Sequence, residues 1–158
     1  MKVIFLDIDG VLNTPSSESR SGEYIGIDDD KTERLADIVR RTKAKIVLVS
    51  TWKRYWRKEE TFKPLQDYSA TYLDEKLKKF GIKATDKTKD KSDGTYLSRG
   101  EGILEYVNRK RIKKYVILDD FQFDYDGLGL TDCLVKTKQT EGLTKELAEK
   151  ACKILLKK

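Results

Sequence analysis

Residues 4–13, IFLDIDGVLN, carry an apolar run straight into two aspartates, Asp7 and Asp9, which are separated by one isoleucine and followed at once by Gly10. Residues 2–8 have the β-branched and apolar composition of a buried strand. A carboxylate buried at the end of such a strand is costly unless it is paired or bound to a metal. Either the aspartates sit at the rim of a sheet and do chemistry, or the strand reading fails. Alternation along the strand turns Ile8 inward between the two acids and makes Asp7 the first exposed rung. Gly10 lets the backbone turn away and leaves room beside the acids.

Two further apolar runs end in the same way. Residues 45–49, KIVLV, lead into Ser50-Thr51, and Tyr115 to Leu118 lead into Asp119-Asp120. Helical spacing fills the intervals. Leu35, Ile38 and Val39 mark a helix over 31–42, with Asp28 to Asp30 as N-caps and Glu33 placed to reach back if Asp30 is the cap. Leu73, Leu77 and Phe80 mark one over 70–80, stopped by Gly81. Ile103, Tyr106 and Val107 mark one from about Gly100 to Arg109. Thr144 caps a last helix whose Leu147, Ala151, Ile154 and Leu155 face inward. Trp52, Tyr55 and Trp56 open another helical stretch that Pro64 breaks. Residues 82–85 and 130–135 read as weaker strands, 13–27 as a loop or short hairpin, and the lysine-rich 86–98 as a mobile surface loop. No internal repeat or linker stands out.

Strands alternating with helices indicate α/β architecture: a doubly wound, Rossmann-like parallel sheet of about five strands with helices on both faces, in a single domain over 1–158. The strong strands then end on one edge, where sites form in such sheets. Four carboxylates and a hydroxyl converge there.

Composition narrows the chemistry. The chain has 158 residues, 33 Lys+Arg against 27 Asp+Glu, and a formal charge of +6, which favours anionic partners or simply solubility. It has no histidine, so Ser-His-Asp hydrolysis, phosphohistidine chemistry and His-ligated zinc hydrolases are excluded. Neither a Cys-x5-Arg phosphate loop nor a P-loop signature occurs. The N-terminal apolar stretch is too short for a signal peptide and no run reaches membrane-span length, so no membrane partner is expected. Two cysteines, Cys133 and Cys152, do not suggest a disulfide framework and read as small core residues; the expected location is cytoplasmic.

What remains rests on carboxylates, hydroxyls, Lys, Arg and a hard metal ion. Crowded carboxylates repel one another, and a divalent cation relieves the repulsion. All-oxygen donors suit Mg²⁺, which pairs naturally with phosphate. One aspartate can attack phosphorus as a covalent nucleophile. The other can protonate the leaving oxygen and later deprotonate water. Ser50 can hydrogen-bond a phosphoryl oxygen, and a cation is needed to balance charge in the transition state. Lys91 and Arg99 both lie in the right interval; Arg99, next to Gly100 at a helix start, is the better ordered by context.

The segments FLDIDGVLN, VLVSTW, SRGEGI and VILDD resemble, in order, the four motifs of the haloacid dehalogenase (HAD) superfamily, and the first and fourth are the specific ones. The Ser-Thr-Trp after the second strand, the Arg-Gly opening the helix before motif four, and LVKT with GLT near the end resemble one branch. That branch comprises the HAD domains of RNA-repair proteins and polynucleotide phosphatases. The likeness runs from Val3 to about Thr144. It implies Asp7 as nucleophile and metal ligand, Asp9 as general acid/base with its backbone carbonyl on Mg²⁺, Ser50 as the motif-two hydroxyl, and Asp119 and Asp120 as the acidic pair on the metal. Arg99 stands where the family more often has Lys, which leaves Lys91 as a competitor, and Asp124 as an alternative outer-shell acid. The intervals available for a cap are short, so the resemblance implies a nearly capless core with an open site. Such a site suits phosphorylated ends of RNA or DNA.

Other readings stand beside this one. Thr51, Lys53 and Arg54 are candidate substrate contacts. With Arg57 and Lys58, the two basic residues form either a solvated face or a grip on a phosphate backbone. Trp52, Tyr55 and Trp56 are core packing or base-stacking groups. A phosphatase for small nucleotides or other metabolites is an alternative, as is a non-catalytic nucleic-acid-binding module. A phosphorylation-receiver domain fits less well, because there the acidic pair comes first and the hydroxyl follows the acceptor aspartate.

Overall fold

The computed structural model describes all 158 residues. Its strands are β1 (Lys2–Leu6), β2 (Arg20–Ser21), β3 (Tyr24–Ile25), β4 (Lys45–Leu48), β5 (Ala84–Lys87), β6 (Lys114–Asp119) and β7 (Leu134–Lys136). Its α-helices are α1 (Asp29–Thr42), α2 (Tyr68–Lys79), α3 (Arg99–Lys110) and α4 (Lys145–Leu156). Five strands form one parallel sheet in the order β5-β4-β1-β6-β7, and β2 pairs with β3 in a separate antiparallel hairpin.

The order follows from the connections. The chain steps outward from β1 to β4 to β5, then returns past β1 to β6 and β7. Right-handed crossovers put the returning helix on the opposite face from the outgoing ones. Accordingly Ile4, Leu6, Ile46 and Leu48 pack with residues of α1, α2 and α4, while Val3, Phe5, Val47 and Ile117 pack with Ile103 and Tyr106 of α3. A strand covered on both faces needs apolar residues in both phases, which is why residues 3–6 are apolar without a break. The winding direction reverses around β1, the position where doubly wound sheets open a crevice. No helix is long and apolar enough to cross a membrane.

The sheet of five strands, helices on both faces and the 13–27 hairpin match the sequence expectation, as does the last helix capped by Thr144, whose hydroxyl accepts from the Leu147 N–H. Five local readings are corrected. Helix α1 starts at Asp29 with Asp28 as its N-cap, and the Asp28 carboxylate is taken up by Ser17, Ser19 and Lys31 instead of the helix N–H groups. The stretch after Ser50 forms no α-helix but two 3₁₀ segments, Thr51–Lys53 and Glu60–Leu65, with Pro64 inside the second. The fifth-strand residues lie two places later than expected, because Ile82 N–H returns to Leu77 O to close α2. Residues 86–98 hold more structure than a loop, with 86–87 ending β5. A 3₁₀ turn over Lys91–Asp93, closed by an Asp90/Asp93 capping box, is tied to Lys53. The last strand is also shorter than expected, since Thr131–Cys133 forms a 3₁₀ turn before it.

Candidate active site

The phase of the strands decides which acids meet. Val3 and Phe5 face α3, and Asp7 follows in the same phase; Ile117 faces α3, and Asp119 follows it. Arg99, the first residue of α3, stands between them. Its Nη1 donates to Asp119 Oδ2 at 3.0 Å and lies 3.4 Å from Asp7 Oδ1. Asp7, Asp119 and Asp120 present carboxylate oxygens that all lie within 4.8 Å of one another. Asp7 is not the exposed rung expected from sequence: it is 6% exposed. Its N–H still donates to Leu118 O, so pairing continues one residue beyond β1 and holds Asp7 below the sheet edge.

The cluster is out of balance. Three carboxylates gather around one guanidinium that reaches only Asp7 and Asp119. Burial, then the charge of Asp119, pushes the Asp7 carboxyl well above its usual range, with Arg99 opposing. Burial and Asp119 also raise Asp120. For Arg99, burial alone would weaken its hold on the proton, but Asp7 and Asp119 outweigh that and strengthen it. Asp119 is the satisfied member. It accepts from Arg99, from the Tyr125 hydroxyl at 2.7 Å and from the Phe121 N–H at 3.0 Å. Burial and Asp119 keep that tyrosine protonated. A set of hard oxygen donors with surplus negative charge fits Mg²⁺.

Asp9 leaves the buried cluster and is exposed, yet its carboxylate is held from two sides. Asn13 Nδ2 donates to Oδ1 at 3.0 Å and Trp52 Nε1 donates to Oδ2 at 3.2 Å. Asn13 also binds the Gly10 N–H and the Gly26 carbonyl, which fixes the loop after β1. Gly10 has φ +82°, and a Cβ there would lie 2.2 Å from Asp120 Oδ2. Both the left-handed backbone and the close approach of Asp120 therefore require glycine.

The other sequence candidates separate. Ser50 is buried at the end of β4, next to β1, and its Oγ accepts from the Trp52 N–H. Thr51 and Arg54 are exposed beside Asp9. Lys53, expected at the surface, is fully buried, 3.3 Å from Asp90 Oδ1 and 3.1 Å from Ser92 Oγ, and is also paired with Asp93. The turn after β4 points it under the sheet edge, where these acids gather. Trp56 is core, as one reading expected. Arg99 is the cation in the cluster, whereas Lys91 is exposed and lines a separate small pocket with Arg99 and Phe123. Asp124 is not among the clustered acids. It accepts from Ser98 and from the Gly100 N–H at 3.0 Å and so anchors the start of α3.

Sequence reasoning missed Asn13, Tyr125 and Phe123. Phe123 adopts φ +44°, a strained conformation for an aromatic residue that costs about 1–2 kcal/mol. In that conformation its ring lies 4.2 Å from the Arg99 guanidinium. Asn13 carried a readable signal, an Asx residue three places after Gly10 in a turn; Tyr125 and Phe123 carried none.

A family model described as the HAD domain in Swiss Army Knife RNA repair proteins matches residues 3–148. Comparison with curated proteins and with solved structures gave no match.

Proposed function

The chain belongs to the family of HAD domains found in Swiss Army Knife RNA repair proteins, and from that premise we propose that it is a Mg²⁺-dependent phosphomonoesterase, a single domain that acts through a phospho-aspartate at Asp7. Asp7, Asp119 and Asp120 would hold the metal, with the Asp9 carbonyl as the resemblance implies. When bound, Mg²⁺ supplies positive charge against the carboxylates and against the phosphoryl oxygens.

The residues divide the work. Asp7 Oδ attacks phosphorus in line, and the bond to the leaving oxygen breaks as Asp9 gives that oxygen its proton. Arg99 Nη1, 3.4 Å from the nucleophile, and the Ser50 hydroxyl orient the phosphoryl oxygens and stabilise their charge. Asp9, now ionised, takes a proton from water. The hydroxide attacks the phospho-aspartate, releases inorganic phosphate and restores Asp7. Tyr125 and the Phe121 N–H keep Asp119 aimed at the cluster.

The observation that carries this reading is the convergence of Asp7, Asp119, Asp120 and Arg99 at one sheet edge with Asp9 beside them. The substrates proposed are phosphorylated nucleic-acid ends. The chain is basic and the family is associated with RNA repair. The test is phosphate release with and without Mg²⁺ from 3′-phosphorylated oligonucleotide, 5′-phosphorylated oligonucleotide and free nucleotide. Turnover should require the metal, favour an oligonucleotide, and fall by about 10³-fold or more in Asp7→Asn, the scale seen when a nucleophile is removed. Equal turnover by Asp7→Asn would overturn the covalent role.

A further inference from the structure

Asp9 borders a second space. On its exposed side a groove of about 570 Å³ runs between the β2–β3 hairpin and the turn after β4, walled by Tyr24, Ile25, Trp52, Arg54 and Tyr55. Tyr24 is 73% exposed and Tyr55 48%, so neither ring is spent on the core. Trp52 is fixed in place. Its indole N–H is bound to Asp9, and its ring packs 6.3 Å from Tyr72. The Tyr72 hydroxyl in turn accepts from the Ile27 N–H at 3.0 Å. Gly26 permits that contact, since a Cβ there would lie 2.4 Å from the Tyr72 hydroxyl. Hairpin, α2 and the post-β4 turn are thus joined behind Trp52.

The direction of the reaction says what belongs in this groove, an inference that rests on the phosphomonoesterase reading. In an in-line displacement the nucleophile and the leaving oxygen lie on opposite sides of phosphorus. Asp9 protonates the leaving oxygen, so the organic part of the substrate extends past Asp9, away from Asp7. We propose that the groove is a leaving-nucleoside site. An unstacked base packs on Tyr24, Trp52 and Tyr55, whose flat rings accept any base. Arg54 faces the next phosphate where the nucleoside ends a chain. The wall also carries Glu23 and Asp67, and Asp67 already accepts from the Ala70 N–H. These carboxylates repel a bare polyphosphate and accept from sugar hydroxyls. The wall therefore matches a nucleoside better than a simple sugar phosphate. The nucleoside can come from a single-stranded end or from a free nucleotide.

The test is a tryptophan-fluorescence titration of the Asp7→Asn protein in Mg²⁺ with a 3′-phosphorylated trinucleotide, a 5′-phosphorylated trinucleotide, the matching mononucleotides and ribose 5-phosphate. Nucleotides should quench and bind at least tenfold more tightly than ribose 5-phosphate. Adding Tyr24→Ala and Tyr55→Ala, both exposed positions, should weaken nucleotide binding by about 10- to 100-fold, the size of one lost base–aromatic stack. Tighter binding of a trinucleotide than of mononucleotide identifies chain ends as the source; equal binding identifies free nucleotides. Unchanged nucleotide affinity in the tyrosine variant, or ribose 5-phosphate binding as tightly as nucleotide, overturns the proposal. Binding is read without turnover, so a wild-type protein that releases no phosphate would count against the phosphomonoesterase alone.

Discussion

Two buried charge clusters lie at the same edge of this sheet, and they are built to opposite ends. In one, Lys53 is enclosed by Asp90, Ser92 and Asp93, and Lys87 closes the turn by donating to the Lys53 and Trp56 carbonyls at 2.9 and 2.8 Å. Burial pushes the Asp90 carboxyl up, but hydrogen bonds from Ser92 and the charge of Lys53 outweigh it and hold the group below its usual range. In the other, Asp7 and Asp119 share Arg99 with Asp120 beside them, and Asp7 is driven well above its usual range by burial and by Asp119. The satisfied cluster fastens the post-β4 turn to the loop leading to α3. The unsatisfied one keeps a surplus of negative charge that a cation and a phosphoryl group would use. Burial of charge alone does not mark a reactive site; the imbalance does.

Breaking the satisfied cluster should have the largest effect on stability. Lys53→Met leaves the buried Asp90, and Asp93 beside it, without their cation, at a cost of about 3–5 kcal/mol, read as a lower urea midpoint. Adding Asp90→Asn and Asp93→Asn to Lys53→Met should recover part of that loss. A neutral Lys53→Met would erase the contrast between the clusters. A smaller effect of opposite sign is expected from Asp7→Asn in the absence of divalent metal. Removing one carboxylate from the crowded set should raise stability by about 1–2 kcal/mol, as stabilising changes at strained functional sites do. Mg²⁺ should then stabilise wild type more than this variant. The smallest effect is in acid. The depressed Asp90 carboxyl contributes stability above its unfolded value, near 3.9, and loses it as pH falls through the lower folded value. Between about pH 4 and 2 the melting temperature of wild type should therefore fall more steeply than that of Asp90→Asn, by roughly 2–4 °C.

The difference between the clusters also separates what could be read from the sequence. The acids of the candidate site were legible because each closes an apolar strand, and parallel strands bring their ends together whatever the loops do. Their phase was legible too, since Asp7 continues Val3 and Phe5. The fate of Lys53 was not, because its partners lie 37 to 40 residues on and its neighbours Arg54, Arg57 and Lys58 made it look like part of a basic surface. Asp90-Lys-Ser-Asp93 does have the spacing of a capped turn, a local signal against a mobile loop. The helix expected from Trp52 up to the break at Pro64 failed because three aromatic residues at helical spacing do not outweigh the run of exposed charged residues around them, and only short 3₁₀ segments form. Trp52 was placed between core and ligand contact, and its geometry is both: a ring packed on Tyr72 and an N–H on Asp9.

The central claim is that Asp7 attacks phosphorus while Asp9 moves the proton, and covalent labelling tests it most directly. The Asp9→Asn protein, given Mg²⁺ and a ³²P-labelled acyl phosphate whose good leaving group needs no acid, should trap label because the water step lacks its base. After acid quenching, the label should be released by hydroxylamine, map to the peptide containing Asp7, and be absent from the Asp7→Asn/Asp9→Asn protein. Phosphate release by wild type with no acid-stable label in Asp9→Asn, and undiminished turnover in Asp7→Asn, would contradict the account.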